Sequence, residues 1–177
     1  IWNLMKEQGL YGVNTKNFLI TPSQPVSEFI QNLTGLKDDQ FDWNKTREQC
    51  FQDFADVMHN LQEDTETRGN KWHREPITWG AGDLHLLREQ LPKLDKLNFL
   101  SRRFIDVKSM CMLERVYEGR SISGKMSLRS GLAMHDMHFE GAAHDSSVDA
   151  YNTMRLFRAV VDKNIKKHQL ITQLAGL

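Results

Sequence analysis

Apolar residues in this chain recur mostly at helical spacing. Val26, Phe29, Ile30 and Leu33 fall on one face of a predicted helix, and Phe51, Phe54, Ala55, Met58 and Leu61 form the stripe of a longer one that Asn44 is placed to cap. Further helices are predicted from about Gly82 to Leu91, around Ser109–Val116, from a Ser127 cap to His135, and from Ser146 to Leu170. Strand-like content lies at Ile1–Met5 and Tyr11–Ile20, separated by the polar turn Glu7-Gln8-Gly9, so the chain opens on a predicted hairpin that Pro22 and Pro25 end. Pro76–Trp79 and Phe104–Val107 read as two further short strands, and the polar stretch Gln62–Glu75 as a loop. Strands first, then strands alternating with helices, predict a mixed α/β sheet with helices on both faces.

Composition narrows this picture only a little. At 177 residues and 40% apolar content the chain suits one domain, 1–177, with no repeat and no Pro/Gly-rich linker. Lys and Arg total 23 and Asp and Glu total 23, so no overall positive field announces a nucleic-acid binder, and phosphate contacts would need local basic clusters. No apolar run approaches the ~20 residues of a membrane span, and the N-terminus lacks a secretory pattern. Cys50 and Cys111 sit among apolar residues, which suits buried thiols in a reducing compartment, the cytoplasm, better than a disulfide framework.

The chemistry concentrates at Ala143-His144-Asp145-Ser146-Ser147-Val148-Asp149, where a histidine stands five residues ahead of an aspartate at the start of the last helix. A base and a carboxylate so placed suit metal-dependent phosphodiester hydrolysis, provided further carboxylates exist. Two more tracts precede it, Leu33-Thr34-Gly35-Leu36 after the hairpin, and Trp79-Gly80-Ala81-Gly82-Asp83 where a strand ends in a turn. In this order, over roughly residues 18–161, the tracts resemble the DEDDh exonucleases of the DnaQ-like, RNase H-like superfamily. The resemblance implies an RNase H-like mixed five-stranded sheet flanked by helices on both faces. It also implies a 3′→5′ exonuclease using two Mg²⁺ or Mn²⁺ ions, with Asp83 and Asp149 as metal ligands and His144 as the base that deprotonates the attacking water. A neutral imidazole with pKa near ~6.5 suits that role, hard ions prefer carboxylate oxygen, and the Gly141-Ala142-Ala143 flank would let the histidine move in with substrate.

The family's first motif, aspartate-any-glutamate on a central strand ahead of the hairpin, is not found. Asp64-Thr65-Glu66 matches it literally but lies in the polar stretch, where no central strand is expected. The expectation is therefore that this strand and its two carboxylates precede Ile1.

Each residue also has a plainer reading. Asp83 and Asp149 are first-turn acids that a helix dipole favours, His144 is a neighbour of a helix cap, and Asp106 reads as structural. His135, His138 and His144 offer a zinc-hydrolase alternative, although no thiolate accompanies them in sequence. The nucleic-acid path is assigned to Lys125 and Arg129, with Arg120 nearby, and to Trp72 among Arg68, Lys71 and Arg74, where an aromatic between cations stacks a base. Leu33 and Thr34 are assigned to nucleic-acid contact as well, and Phe29, Leu33 and Leu36 either wedge terminal bases, as the resemblance implies, or only pack the helix. The expected partner is single-stranded or 3′-overhang DNA or RNA, in association with a larger nucleic-acid-processing complex and with no membrane. The alternative is a catalytically silent nucleic-acid-binding or assembly module.

Overall fold

The structure is a computed structural model that describes residues 2–4, 11–13, 17–66, 76–90, 104–121 and 125–175. It divides into two units, Ile1–Phe54 and Ala55–Leu177.

In the first unit, β1 (Trp2–Leu4) and β2 (Tyr11–Val13) pair antiparallel with Trp2 opposite Val13, so the opening hairpin forms as predicted. Residues 17–20, expected to continue its second strand, are not in a strand. Helix α1 (Glu28–Thr34) begins at Ser27, whose hydroxyl accepts from Ile30 N, and stops at Gly35, which takes the left-handed φ of 75° that glycine adopts without penalty. Its apolar residues are not buried: Phe29 is 72% exposed, and Ile30 and Leu33 are exposed too. A 3₁₀ turn, Asp38–Gln40, follows, and its Asp38 binds the chain before α1 by accepting from Val26 N at 2.7 Å.

Helix α2 (Arg47–Glu66) is capped by Thr46, not Asn44. The Thr46 hydroxyl accepts from Gln49 N while Gln49 Oε1 accepts from Thr46 N, a reciprocal box that satisfies two amides at once. Cys50 and Phe51 are buried, Phe54 meets Phe18 edge to face at 5.1 Å, and the Thr21 hydroxyl donates to Asp42 O. Helix α2 continues through Asp64-Thr65-Glu66, so these residues end a helix rather than lie in a loop.

The second unit is built on helices. Strands β3 (Ile77–Thr78) and β4 (Ile105–Asp106) pair parallel, Ile77 opposite Ile105. Helix α3 (Gly82–Gln90) follows β3, and α4 (Val107–Tyr117) follows β4 without a break because Asp106 is its N-cap. The last two helices are α5 (Leu128–Ala133), opened by a reciprocal Ser127/Ser130 cap, and α6 (Ser146–Ala175). Val107 and Cys111 of α4, Leu132 of α5, and Leu156 and Val160 of α6 form the core with Met126. Gly131 makes the close approach possible, because a Cβ there would lie 2.8 Å from the Trp79 ring and 2.9 Å from Leu156.

This overturns the expected five-stranded RNase H-like sheet. The described strands form two separate two-stranded sheets, and helices dominate. The physical reason lies in where the apolar side chains repeat. Val107/Cys111 and Leu156/Val160 recur every four residues, so helices fill the core, while two-residue strands offer at most one side chain to each face. Among the described residues no helix is long and apolar enough to cross a membrane.

Candidate functional site

Two segments of the second unit carry the sequence-predicted chemistry. The first is the turn from β3 into α3. Ile105 N donates to Pro76 O, aligning the strands, and Gly80, with φ of 90°, donates its N–H to Asp106 Oδ1 at 3.0 Å. The same carboxylate accepts from Ser109 N at 3.2 Å and Ser109 Oγ at 2.6 Å. Asp106 therefore has the structural role expected of it, fixing one strand's exit to the next helix's start. Beyond that turn Asp83 stands exposed in the first turn of α3.

The second segment runs from His138 into α6. Asn152 is fully buried and grips the backbone of Glu140 at both ends, accepting from Glu140 N at 3.1 Å and donating to Glu140 O at 2.8 Å. It also donates to Val148 O at 2.9 Å and accepts from Arg155 at 2.9 Å. Arg155 in turn pairs with the Glu140 carboxylate at 2.6 Å and donates to His138 O at 3.1 Å. Gly141, with φ of 88°, leaves no room for a Cβ, which would lie 2.9 Å from Val148. The loop ahead of His144 is thus pinned to α6 rather than free to swing.

His144 itself is exposed with φ of 69°, a left-handed conformation that histidine reaches more readily than branched residues. Asp145 is the cap of α6, accepting from Ser147 Oγ at 2.6 Å, Ser147 N at 2.8 Å and Val148 N at 3.2 Å. The Ser147 hydroxyl first, and the backbone N–H groups of Val148 and Ser147 after it, hold the Asp145 carboxyl below the ordinary 3.8. Asp149 follows in the first turn, partly buried, its N–H bonded to Asp145 O.

A pH prediction follows from Asp145. Because its folded pKa is depressed, its stabilisation is complete above the unfolded value and is lost as pH falls through the folded one. Asp145→Ala is expected to cost about 0.5–1 kcal/mol at neutral pH. Urea unfolding at a series of pH values should show that difference shrinking below about pH 4; a difference independent of pH would contradict the assignment.

The sequence-predicted residues are not all brought together. Asp83, His144 and Asp149 form no group of three potential metal donors, and none of their side chains bonds another described residue. Leu33 and Thr34 belong to the first unit, where the Thr34 hydroxyl is engaged at the end of α1, donating to Ile30 O and accepting from Leu36 N. Arg129 lies over the Phe139 ring at 4.9 Å, Lys125 is exposed, Arg120 pairs with Glu118, and Trp72 lies outside the described residues. The three histidines do not converge: His138 and His144 are exposed, whereas the His135 side chain turns inward to Glu114.

That inward turn creates the group sequence reasoning missed. Cys111, Glu114 and His135 place a sulfur, a carboxylate oxygen and a ring nitrogen within 4.8 Å of one another, the one such trio among the described residues. The i, i+3 spacing of Cys111 and Glu114 was a readable signal, but His135 reaches them only through packing of α5 on α4.

Comparison with protein families, with curated proteins and with solved structures finds no match for this chain.

Proposed function

We propose that the chain is a metal-dependent 3′→5′ exonuclease acting on single-stranded or 3′-overhang nucleic acid, DNA or RNA. His144 is the base that takes the proton of the attacking water, and Asp83 and Asp149 are carboxylate ligands for Mg²⁺ or Mn²⁺, their oxygens being the donor type these ions prefer. Two such ions, when bound, stabilise the attacking and leaving oxygens of the displaced phosphate. With only two carboxylates assigned, the site needs the further aspartate/glutamate pair that the motif resemblance implies.

One contrast carries the reading. Around the start of α6 Asp145, Asn152, Arg155 and Glu140 are all engaged, yet the imidazole of His144 and the carboxylate of Asp149 bond no other described residue. Polar groups left unengaged beside a pinned loop are suited to a substrate. Lys125 and Arg129 then supply backbone contacts. Two buried, unpaired cysteines suit the cytoplasm, and work within a larger nucleic-acid-processing complex belongs to the same reading.

A second reading has its own observation. No trio of metal donors includes Asp83 or Asp149 among the described residues, which favours a silent nucleic-acid-binding module. Digestion of 5′-labelled single-stranded DNA, RNA and 3′-overhang duplexes separates the two. Stepwise shortening with Mg²⁺ or Mn²⁺, abolished by chelator, is expected of the exonuclease. Binding without shortening supports the silent module, and neither binding nor shortening sinks both.

A further inference from the structure

Cys111 and Glu114 lie three residues apart on α4 and so share a face, and His135, in the turn that closes α5, meets them there. Cys111 is wholly buried, and the side chains of His135 and Glu114 are 4% and 12% exposed. His135 Nε2 lies 2.8 Å from Glu114 Oε2, an ion pair when the imidazole is protonated, but the alignment is not that of a hydrogen bond and both atoms lack a hydrogen-bond partner among the described residues. Buried polar atoms in that condition destabilise a fold, unless something else satisfies them.

We propose that Cys111 Sγ, Glu114 Oε2 and His135 Nε2 form a site for a divalent transition-metal ion, zinc by its donor chemistry. Thiolate, imidazole and carboxylate are the three ligand types zinc accepts, whereas Mg²⁺ and Ca²⁺ favour oxygen alone. Charge agrees as well. One thiolate and one carboxylate balance a dication, so the filled site is itself neutral. Lys163 Nζ, 3.6 Å from Glu114 Oε1, is equally near Glu118 Oε1 at the surface and has that partner to keep when the ion binds.

Binding exchanges the sulfur–hydrogen bond of Cys111 for a sulfur–metal bond and releases the proton to solvent. Burial, with Glu114 adding to it, pushes this thiol up to about 11, so an ion is what would make it a thiolate at neutral pH. The site links α4 to the end of α5 and is nearly closed to solvent, and its three protein donors would leave the fourth position of a tetrahedral zinc to water. It is separate from the residues of the proposed nuclease chemistry and does not depend on that reading.

Cobalt(II) is the probe. Titrated into the metal-free full chain, it is expected to bind one equivalent, give a thiolate-to-cobalt charge-transfer band in the near ultraviolet, and be displaced by one equivalent of zinc that raises the Tm. Cys111→Ser should abolish the band, and His135→Gln should weaken binding at least tenfold. Cys50→Ser leaves Cys111 as the sole thiol and should keep the band, which provides a test even if Cys111→Ser fails to fold. No band in the folded chain, or a band lost in Cys50→Ser with circular dichroism unchanged, overturns the site.

Discussion

His144→Asn is expected to lower the proposed exonuclease turnover by about 10²–10⁴-fold, the usual contribution of a general base, while the protein unfolds at an unchanged urea concentration. Asparagine is the informative replacement because His144 sits at φ of 69°, a region asparagine tolerates, so backbone strain is not confused with lost chemistry. The imidazole is exposed and bonds no other described residue, so its removal orphans no polar partner among the described residues. Asp149→Asn is a parallel case. Its cost to stability is limited to the helix-dipole interaction of a first-turn acid, about 0.3–1 kcal/mol, while the proposed metal ligand is lost. Turnover within threefold of the parent in either variant, measured on the best substrate with Mg²⁺ or Mn²⁺, would remove these residues from the mechanism.

Asn152→Ala is expected to destabilise the second unit by about 2–4 kcal/mol, through orphaned groups more than through lost volume. The side chain is fully buried, and its removal strands the N–H and C=O of Glu140, both of which it bonds. The Val148 carbonyl and Arg155 lose a partner too. Urea unfolding measures the change. A loss under about 1 kcal/mol would mean water replaces the amide without penalty, and the clamp on the loop would not be real. If the clamp positions His144, a variant that still folds should lose turnover more than substrate binding.

Much of the helical plan was readable from residues alone. The cap at Ser127 holds, and helices occupy the stretches predicted after Gly82 and Ser146. The error at Asn44 was avoidable, since Thr46-Arg47-Glu48-Gln49 carries the spacing of a capping box and the structure uses it. The sheet failed for a deeper reason. Ile77-Thr78 and Ile105-Asp106 do pair, but whether short strands extend into a larger sheet depends on partners that local pattern does not encode. At the candidate site the His144 and Asp149 spacing was visible, whereas Asn152 was not, because a polar residue on a buried stripe gains meaning only once its partners are placed. His135 shows the same limit: sequence proximity grouped it with His138 and His144, and folding gave it to Cys111 and Glu114.

The two cysteines have a practical use that follows from their positions. One lies in each unit, Cys50 at 5% exposure and Cys111 at 0%, and neither is in a disulfide. An alkylating reagent reaches each sulfur only when the structure around it opens, so the rate at each site is a clock for its own unit. Peptide mass spectrometry of a single labelling time course therefore reads the two opening equilibria separately, and equal rates across denaturant concentrations would identify one cooperative event.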